Sequence, residues 1–434
     1  MNEENEVVGG EAVENPETNI NTDKKTKDKN KTKWCWLLLG LFAGVALSQI
    51  VVLVMLKVNG RDTLFLQNGL LDRKKDTILS NDVKEKIDLL ENSIDQFYIS
   101  EVSDEELVDG IYEGLVDATG DRYADYYTKD DMEKLREKTT GVFYGIGAYV
   151  GVDTSTNYPK LTGIFEDSPA EKAGLKAEDI IVEIDGKNVN GMELEEVVSY
   201  IKGPQGTQVV LTIYRNGETE YRDITVTRDK VESITVSYQL LEDNIAYIRI
   251  HQFESVTSNQ FAEKLKQARD DQMKGLIIDL RSNPGGTLES VIEVARQMLP
   301  EGMIVYTEDK YGKKNEFKCN GAKQLEVPLV ILVNEGSASA AEILAGAVKD
   351  HGIGKLVGKT TFGKGIVQKV FYISDGTAVK LTISHYYTPN GNDIHEVGIK
   401  PDVEVDLDPD KYYDEEVDTQ LEKAKEVLLK LMHG

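Results

Sequence analysis

Two serines and one lysine have the residue types and the setting for nucleophilic chemistry. The serines lie in Val333-Asn334-Glu335-Gly336-Ser337-Ala338-Ser339, and the lysine in Phe362-Gly363-Lys364-Gly365. A serine hydroxyl needs a base to become a nucleophile. A lysine serves as that base when burial brings its pKa down toward neutrality. The serines stand where a strand gives way to a helix. Pro328 opens the strand, and Leu329 to Val333 is a continuous apolar run of strand length. Asn334-Glu335-Gly336 has turn composition. Ala340, Ile343, Leu344, Ala347 and Val348 then recur at helical spacing. A hydroxyl at such a junction lies beside free backbone N–H groups and the positive end of a helix dipole. Nucleophilic serines use that geometry. Serine is equally a favoured N-cap residue, and Lys364 read alone is an exposed loop lysine.

Other chemistries find less support. Gly358-Lys359-Thr360 resembles the end of a phosphate-binding loop, but Ile353 stands where that loop needs glycine. The five histidines, at 251, 351, 385, 395 and 433, show no acid partner in a triad motif. Cys35 and Cys319, the only cysteines, give no disulfide framework, zinc ribbon or redox motif. A net charge of −26 over 434 residues argues against nucleic acid as a partner.

The chain must position these residues with several domains. Residues 1–33 are polar, begin acidic and end in a lysine run, the composition of a disordered cytoplasmic tail. Trp34 to Leu56 carries no charge and is long enough to cross a bilayer about 30 Å thick. Residues 34–57 are therefore read as a transmembrane helix. The lysines ahead of it place the N-terminus in the cytoplasm and the rest outside. A cleaved signal peptide with Ala46-Leu47-Ser48 as its site is the rival, but the apolar run continues past Ser48.

Residues 58–140 are polar and helix-rich. Val83, Ile87, Leu90, Ile94 and Phe97 make one helical stripe, and Leu107, Ile111, Leu115 and Val116 another, with Gly120 as its C-cap. This is a spacer or an arm for homodimer formation. Nothing in the following Asp121-Arg122-Tyr123-Ala124-Asp125-Tyr126-Tyr127 demands chemistry.

From residue 141 to 230 the texture is short strands. Val142 to Val150 reads as a strand interrupted by glycines. In it, Gly145-Ile146-Gly147 lets backbone N–H groups turn toward one point, a nest for an anion such as a peptide carboxylate. An amphipathic helix follows, Leu194 to Ile201. From 231 to 405, alternating strands and helices suggest an α/β core. There the buried strand Gly275 to Leu280 runs into Arg281-Ser282-Asn283-Pro284-Gly285-Gly286, whose glycine pair can aim N–H groups into a cleft or simply make a tight turn. Residues 406–434 close with an acidic helix. The fold class is thus α+β to α/β, multidomain, with a membrane-anchor helix and a helical N-terminal arm.

The order Gly145-Ile146-Gly147, Ser168-Pro169-Ala170, Ala173-Gly174-Leu175, Asp179 to Gly186 and Gly203-Pro204-Gln205-Gly206-Thr207 resembles a PDZ domain of the circularly permuted bacterial type. That resemblance implies capture of a C-terminal peptide by strand addition beside the helix. With Gly336 to Asp350, Thr360 to Gln368 and Asp279 to Gly286, the chain from about residue 90 to 405 resembles the carboxyl-terminal processing peptidases, PDZ-containing serine proteases. The resemblance implies Ser339 as nucleophile, Lys364 as base and Gln368 as the group orienting the lysine amine. It implies an oxyanion hole from the N–H of Ala340 and of one glycine of the pair, Gly285 ahead of Gly286. No metal or organic cofactor is implied, and the partners are proteins or peptides with accessible C-termini. Ala341, Ser282 and Lys202 depart from the common family residues, and Lys202 puts the coupling of PDZ domain to core in question. A catalytically inactive PDZ scaffold at the membrane surface is the alternative function.

Overall fold

The computed structural model describes residues 78–433. The expected tail, transmembrane helix 34–57 and start of the arm lie outside the described residues. Among the described residues, no helix is long and apolar enough to cross a membrane.

The arm begins with two helices, Asn81–Phe97 and Asp104–Asp117, both entered through serine caps. The stripe on the first is left uncovered, since none of its residues is buried and Leu90 and Phe97 are exposed. On the second only Val116 is buried. That helix ends at Asp117 rather than running to Gly120, which follows in a left-handed turn with φ 70°. The segment after it, Asp125–Tyr127, is a strand and not part of a spacer. It pairs antiparallel with Ala378–Tyr387, a strand on the far side of the sequence.

The next unit is closed by its own entry and exit, because Val142–Gly145 pairs with Asp229–Glu232. Between them stands a sheet of Ala148–Val152, Pro159–Ile164, Ile180–Ile184, Gln208–Tyr214 and Arg222–Thr227, packed on the helix Leu194–Ile201. The glycine-interrupted run is therefore two strands. Gly147, with φ 76°, makes the break, and a Cβ there would lie 2.5 Å from Ser168 Cβ.

The core is a six-stranded sheet in the order Val236–Leu240, Ile245–Ile250, Gly275–Asp279, Leu329–Val333, Gly354–Gly358, Val403–Glu404. The first pair is antiparallel and the rest are parallel. Leu329–Val333 is buried on both faces, which is why it reads as an unbroken apolar run. Leu329, Ile331 and Val333 pack with the helices Thr257–Asp270, Leu288–Ala295 and Ala340–His351. Val330 and Leu332 face the C-terminal helix Thr419–His433 through Ala424 and Leu428. A second sheet joins Asp125–Tyr127, Ala378–Tyr387, Glu301–Asp309 and Lys314–Asn320, with Ile366–Tyr372 paired to Ala378–Tyr387.

Candidate active site

The end of Leu329–Val333 is tied into a rigid turn before the helix starts. Asn334 Oδ1 accepts the N–H of Gly336 at 3.1 Å and of Ser282 at 2.7 Å. Ser337 is fully buried; its hydroxyl donates to the Leu280 carbonyl at 2.7 Å and accepts the Asn334 N–H at 3.0 Å. Ser337 is thus occupied in holding two parallel strand ends together. Ser339 is only partly buried and is the residue before the helix Ala340–His351. It adopts φ 54° and ψ −114°, a backbone conformation a non-glycine residue rarely takes. Strain of this kind persists only where surrounding structure imposes it, and such residues cluster at active sites.

Glu342 imposes much of it. This carboxylate is fully buried in the first turn of the helix. Its Oε2 accepts the N–H of Ser339 and of Lys364, each at 2.8 Å. Its Oε1 accepts the Thr361 hydroxyl at 2.6 Å and the Gly363 N–H at 2.7 Å. A buried carboxylate with four donors is well compensated for its lost hydration. Tyr386, nearly fully buried, donates its hydroxyl to the Ser339 carbonyl at 3.0 Å. Sequence reasoning passed over Glu342 and Tyr386. Glu342 did leave a signal, since Ser339-Ala340-Ala341-Glu342 has the spacing of a capping box.

The backbone N–H groups divide into engaged and free. Among the described residues, the Ala340 N–H has no hydrogen-bond acceptor, as befits the first residue of a helix. Gly285, with φ 101°, presses on the Ser339 turn: a Cβ there would be 2.8 Å from Ser339 Cβ and 3.0 Å from Ala340 N. Its N–H, however, donates to Asn283 Oδ1 at 2.8 Å. The Gly286 N–H is unengaged among the described residues, while the Phe253 main chain binds on both sides of it.

Lys364 is half-buried, and its Nζ lies over the Tyr123 ring, 4.4 Å from the centroid. Burial pushes its pKa below the ordinary lysine value, and the positive charges of Lys380 and Arg122 push the same way, against the opposing carboxylate of Asp121. Among the described residues, no hydrogen bond joins Lys364 Nζ to the Ser339 hydroxyl or to Gln368. Gln368 Nε2 donates instead to Thr382 Oγ1 at 3.3 Å. The structure thus brings the backbones of Ser339 and Lys364 onto one carboxylate without joining their reactive atoms.

Gly145, Ile146 and Gly147 line a cleft of about 380 Å³. Val198 and Ile201 of the helix Leu194–Ile201 form its apolar wall, with Phe165 and Tyr149. The N–H groups of Ile146 and Gly147 are unengaged among the described residues. His251 and Glu254 reach the same cleft from the core. Lys202 at its rim pairs with Glu137 of the arm at 2.5 Å. Among the described residues no cluster of histidine, cysteine and carboxylates could hold a metal ion.

Comparison with known proteins gives this arrangement its family. Residues 244–405 match peptidase family S41, and residues 162–215 match a PDZ domain. The carboxy-terminal processing protease CtpA of Bacillus subtilis is 34% identical over 82% of this chain and 76% of its own length. The chain belongs to the carboxyl-terminal processing peptidases of family S41. The carboxyl-terminal-processing protease of Synechocystis is 40% identical over 62% of this chain, and the match spans 64% of that relative's length. A solved photosystem II D1 C-terminal processing protease is 30% identical, covering 79% of this chain and 90% of that one, with a TM-score of 0.44. The two matches fit the mixed α/β core and the separate PDZ-like unit described above.

Proposed function

We propose that this peptidase is a membrane-anchored serine endopeptidase that selects substrates by their C-termini and cleaves through Ser339 and Lys364. The Glu342 carboxylate carries the reading, because it holds the backbones of both residues at 2.8 Å across the site. Ser339 Oγ attacks the peptide carbonyl carbon and its proton passes to the neutral Lys364 amine. The tetrahedral oxyanion is met by the free N–H of Ala340 and by the glycine pair. Gly286 has its N–H available, whereas Gly285 must first release Asn283. Lys364 returns the proton to the leaving amine nitrogen, and water then releases the acyl group. Gln368 steadies the amine once Lys364 swings toward Ser339.

The cleft at Gly145-Ile146-Gly147 suits a free carboxylate beside an apolar last side chain, through its unengaged N–H groups and the Val198–Ile201 wall. The uncharged run Trp34 to Leu56 behind a lysine-rich segment supports a single-pass anchor with the protease outside the cytoplasm. The uncovered stripe of Asn81–Phe97 supports a dimerisation role for the arm.

Labelling the full-length protein with a fluorophosphonate and locating the adduct by mass spectrometry tests the reading. An adduct on Ser339, lost in Lys364→Ala, is expected. A protein that takes no label and cuts no peptide is the inactive scaffold instead.

A further inference from the structure

The segment Asp121-Arg122-Tyr123 is remote from the core in sequence, yet it walls off the lysine. Tyr123 places its ring 4.4 Å below Lys364 Nζ. The Arg122 guanidinium stands over the same ring at 4.6 Å, bonds to the Tyr123 hydroxyl, and lies 6.0 Å from the Phe362 ring centroid. The Tyr123 backbone is held as well. Its N–H donates to Asp121 Oδ1 at 2.9 Å, and Asp121 in turn is hydrogen-bonded to Thr382. The next residues, Asp125–Tyr127, are stitched to Ala378–Lys380 as a strand, and Lys380 Nζ donates to the Tyr127 hydroxyl at 2.6 Å. Tyr126 packs on Tyr112 of the arm helix, with 5.3 Å between ring centroids.

We propose that Tyr123 is a positioning residue for the lysine base: its ring seats the Lys364 side chain and keeps water from Nζ. The end of the N-terminal arm therefore completes the catalytic environment that the protease core leaves open. This rests on the reading of Lys364 as the base. The charged groups facing the amine are Asp121 and Arg122 from this segment and Lys380 from the neighbouring strand. Two effects of the ring oppose each other. Contact with a π face favours the ammonium by about 0.5–1 kcal/mol at exposed sites. Exclusion of water favours the neutral amine, and it grows steeply with burial. Burial is the largest influence on Lys364, and the ring's π electrons are drawn on by Arg122 as well, so exclusion wins.

The test is the pH dependence of kcat/KM, and of fluorophosphonate inactivation, on the full-length protein. The acid limb reports the base in the free enzyme. Tyr123→Ala is expected to move that limb to higher pH and to lower kcat/KM at neutral pH roughly tenfold, the effect of one unit in a base's titration. Tyr123→Phe keeps the ring and is expected to keep the limb. Arg122→Gln removes a like charge and is expected to move the limb the same way by less. If Tyr123→Ala melts early, Tyr123→Leu, which keeps bulk, and Arg122→Gln carry the comparison. A limb that stays in place or moves to lower pH in Tyr123→Ala overturns the proposal. So does a Tyr123→Phe profile that copies Tyr123→Ala. Lys364→Ala separates the layers: activity retained there refutes the base itself, whereas an inactive Lys364→Ala beside an unmoved Tyr123→Ala limb refutes only the role of Tyr123.

Discussion

Glu342 Oε2 accepts the backbone N–H of Ser339 at 2.8 Å, three residues back along the same helix start. The same oxygen accepts the Lys364 N–H at 2.8 Å. The Ser339 turn and the Lys364 loop thus share one anchor, and Glu342 sets the spacing between their backbones.

Replacing that anchor by its amide should uncouple the site. Glu342→Gln presents an NH2 to donors that need an acceptor and removes the charge from four hydrogen bonds. A loss of about 3 kcal/mol in stability is expected, in the range for breaking a buried charged network. Peptide cleavage should fall by more than the melting curve explains, because Ser339 and Lys364 lose a common reference. Denaturant melts and kcat/KM on the same preparation check this; a variant with wild-type values for both would remove Glu342 from the account.

The two serines should separate by the kind of damage. Ser339→Ala is expected to abolish cleavage and labelling while folding normally. Ser337→Ala breaks the bonds to Leu280 and Asn334 and should cost about 1–2 kcal/mol of stability. It should still take a fluorophosphonate on Ser339. Equal labelling in both variants would contradict the assignment.

Stability should carry a signature of the depressed lysine. Lys364 is held below its ordinary pKa by burial first and by Lys380 and Arg122 second. Between its folded and unfolded pKa values the unfolded chain therefore binds more protons, and stability rises with pH. Below the folded value the burden is fully present, and it disappears as pH passes the ordinary lysine range. Lys364→Met should thus be inactive yet more stable than the parent at neutral pH, with the gap closing as pH rises. Urea melts at a series of pH values measure it, and a gap that widens with pH would reverse the sign of the shift.

Substrate capture should depend on the last residue of the peptide. Amidating the C-terminus removes the charge offered to Ile146 and Gly147, and a terminal Asp or Lys removes the apolar anchor for Val198 and Ile201. Each change should slow cleavage at an unchanged internal bond. Gly147→Ala puts a Cβ 2.5 Å from Ser168 Cβ at a φ of 76° and should erase the difference between free and amidated peptides. Matched peptides assayed on the full chain decide this. Rates blind to the terminus in the parent protein would show that the cleft does not select substrates.

Local patterns made much of this protein legible. The apolar run Leu329–Val333, the turn after it and the stripe from Ala340 announce a strand, a turn and a helix, because burial on both faces and helical periodicity are written in neighbouring residues. The Gly145-Ile146-Gly147 break and the helix Leu194–Ile201 were legible for the same reason. Partnerships across the chain were not. Asp121 to Tyr127 looks like the tail of a spacer, since no local rule says that Asp125–Tyr127 will pair with Ala378–Lys380 and bring Tyr123 onto Lys364. Glu342 has the spacing of a capping-box partner to Ser339, but only the folded loop Thr361–Lys364 supplies the further donors that allow it to be buried. Sequence alone determined which residue types could react and which elements carry them, because propensity and periodicity act over a few positions. Tertiary structure decided that Ser337 is spent on Leu280, that Gly285 gives its N–H to Asn283, and that Lys364 rests on an aromatic ring. Those outcomes depend on which distant groups satisfy each buried donor and acceptor.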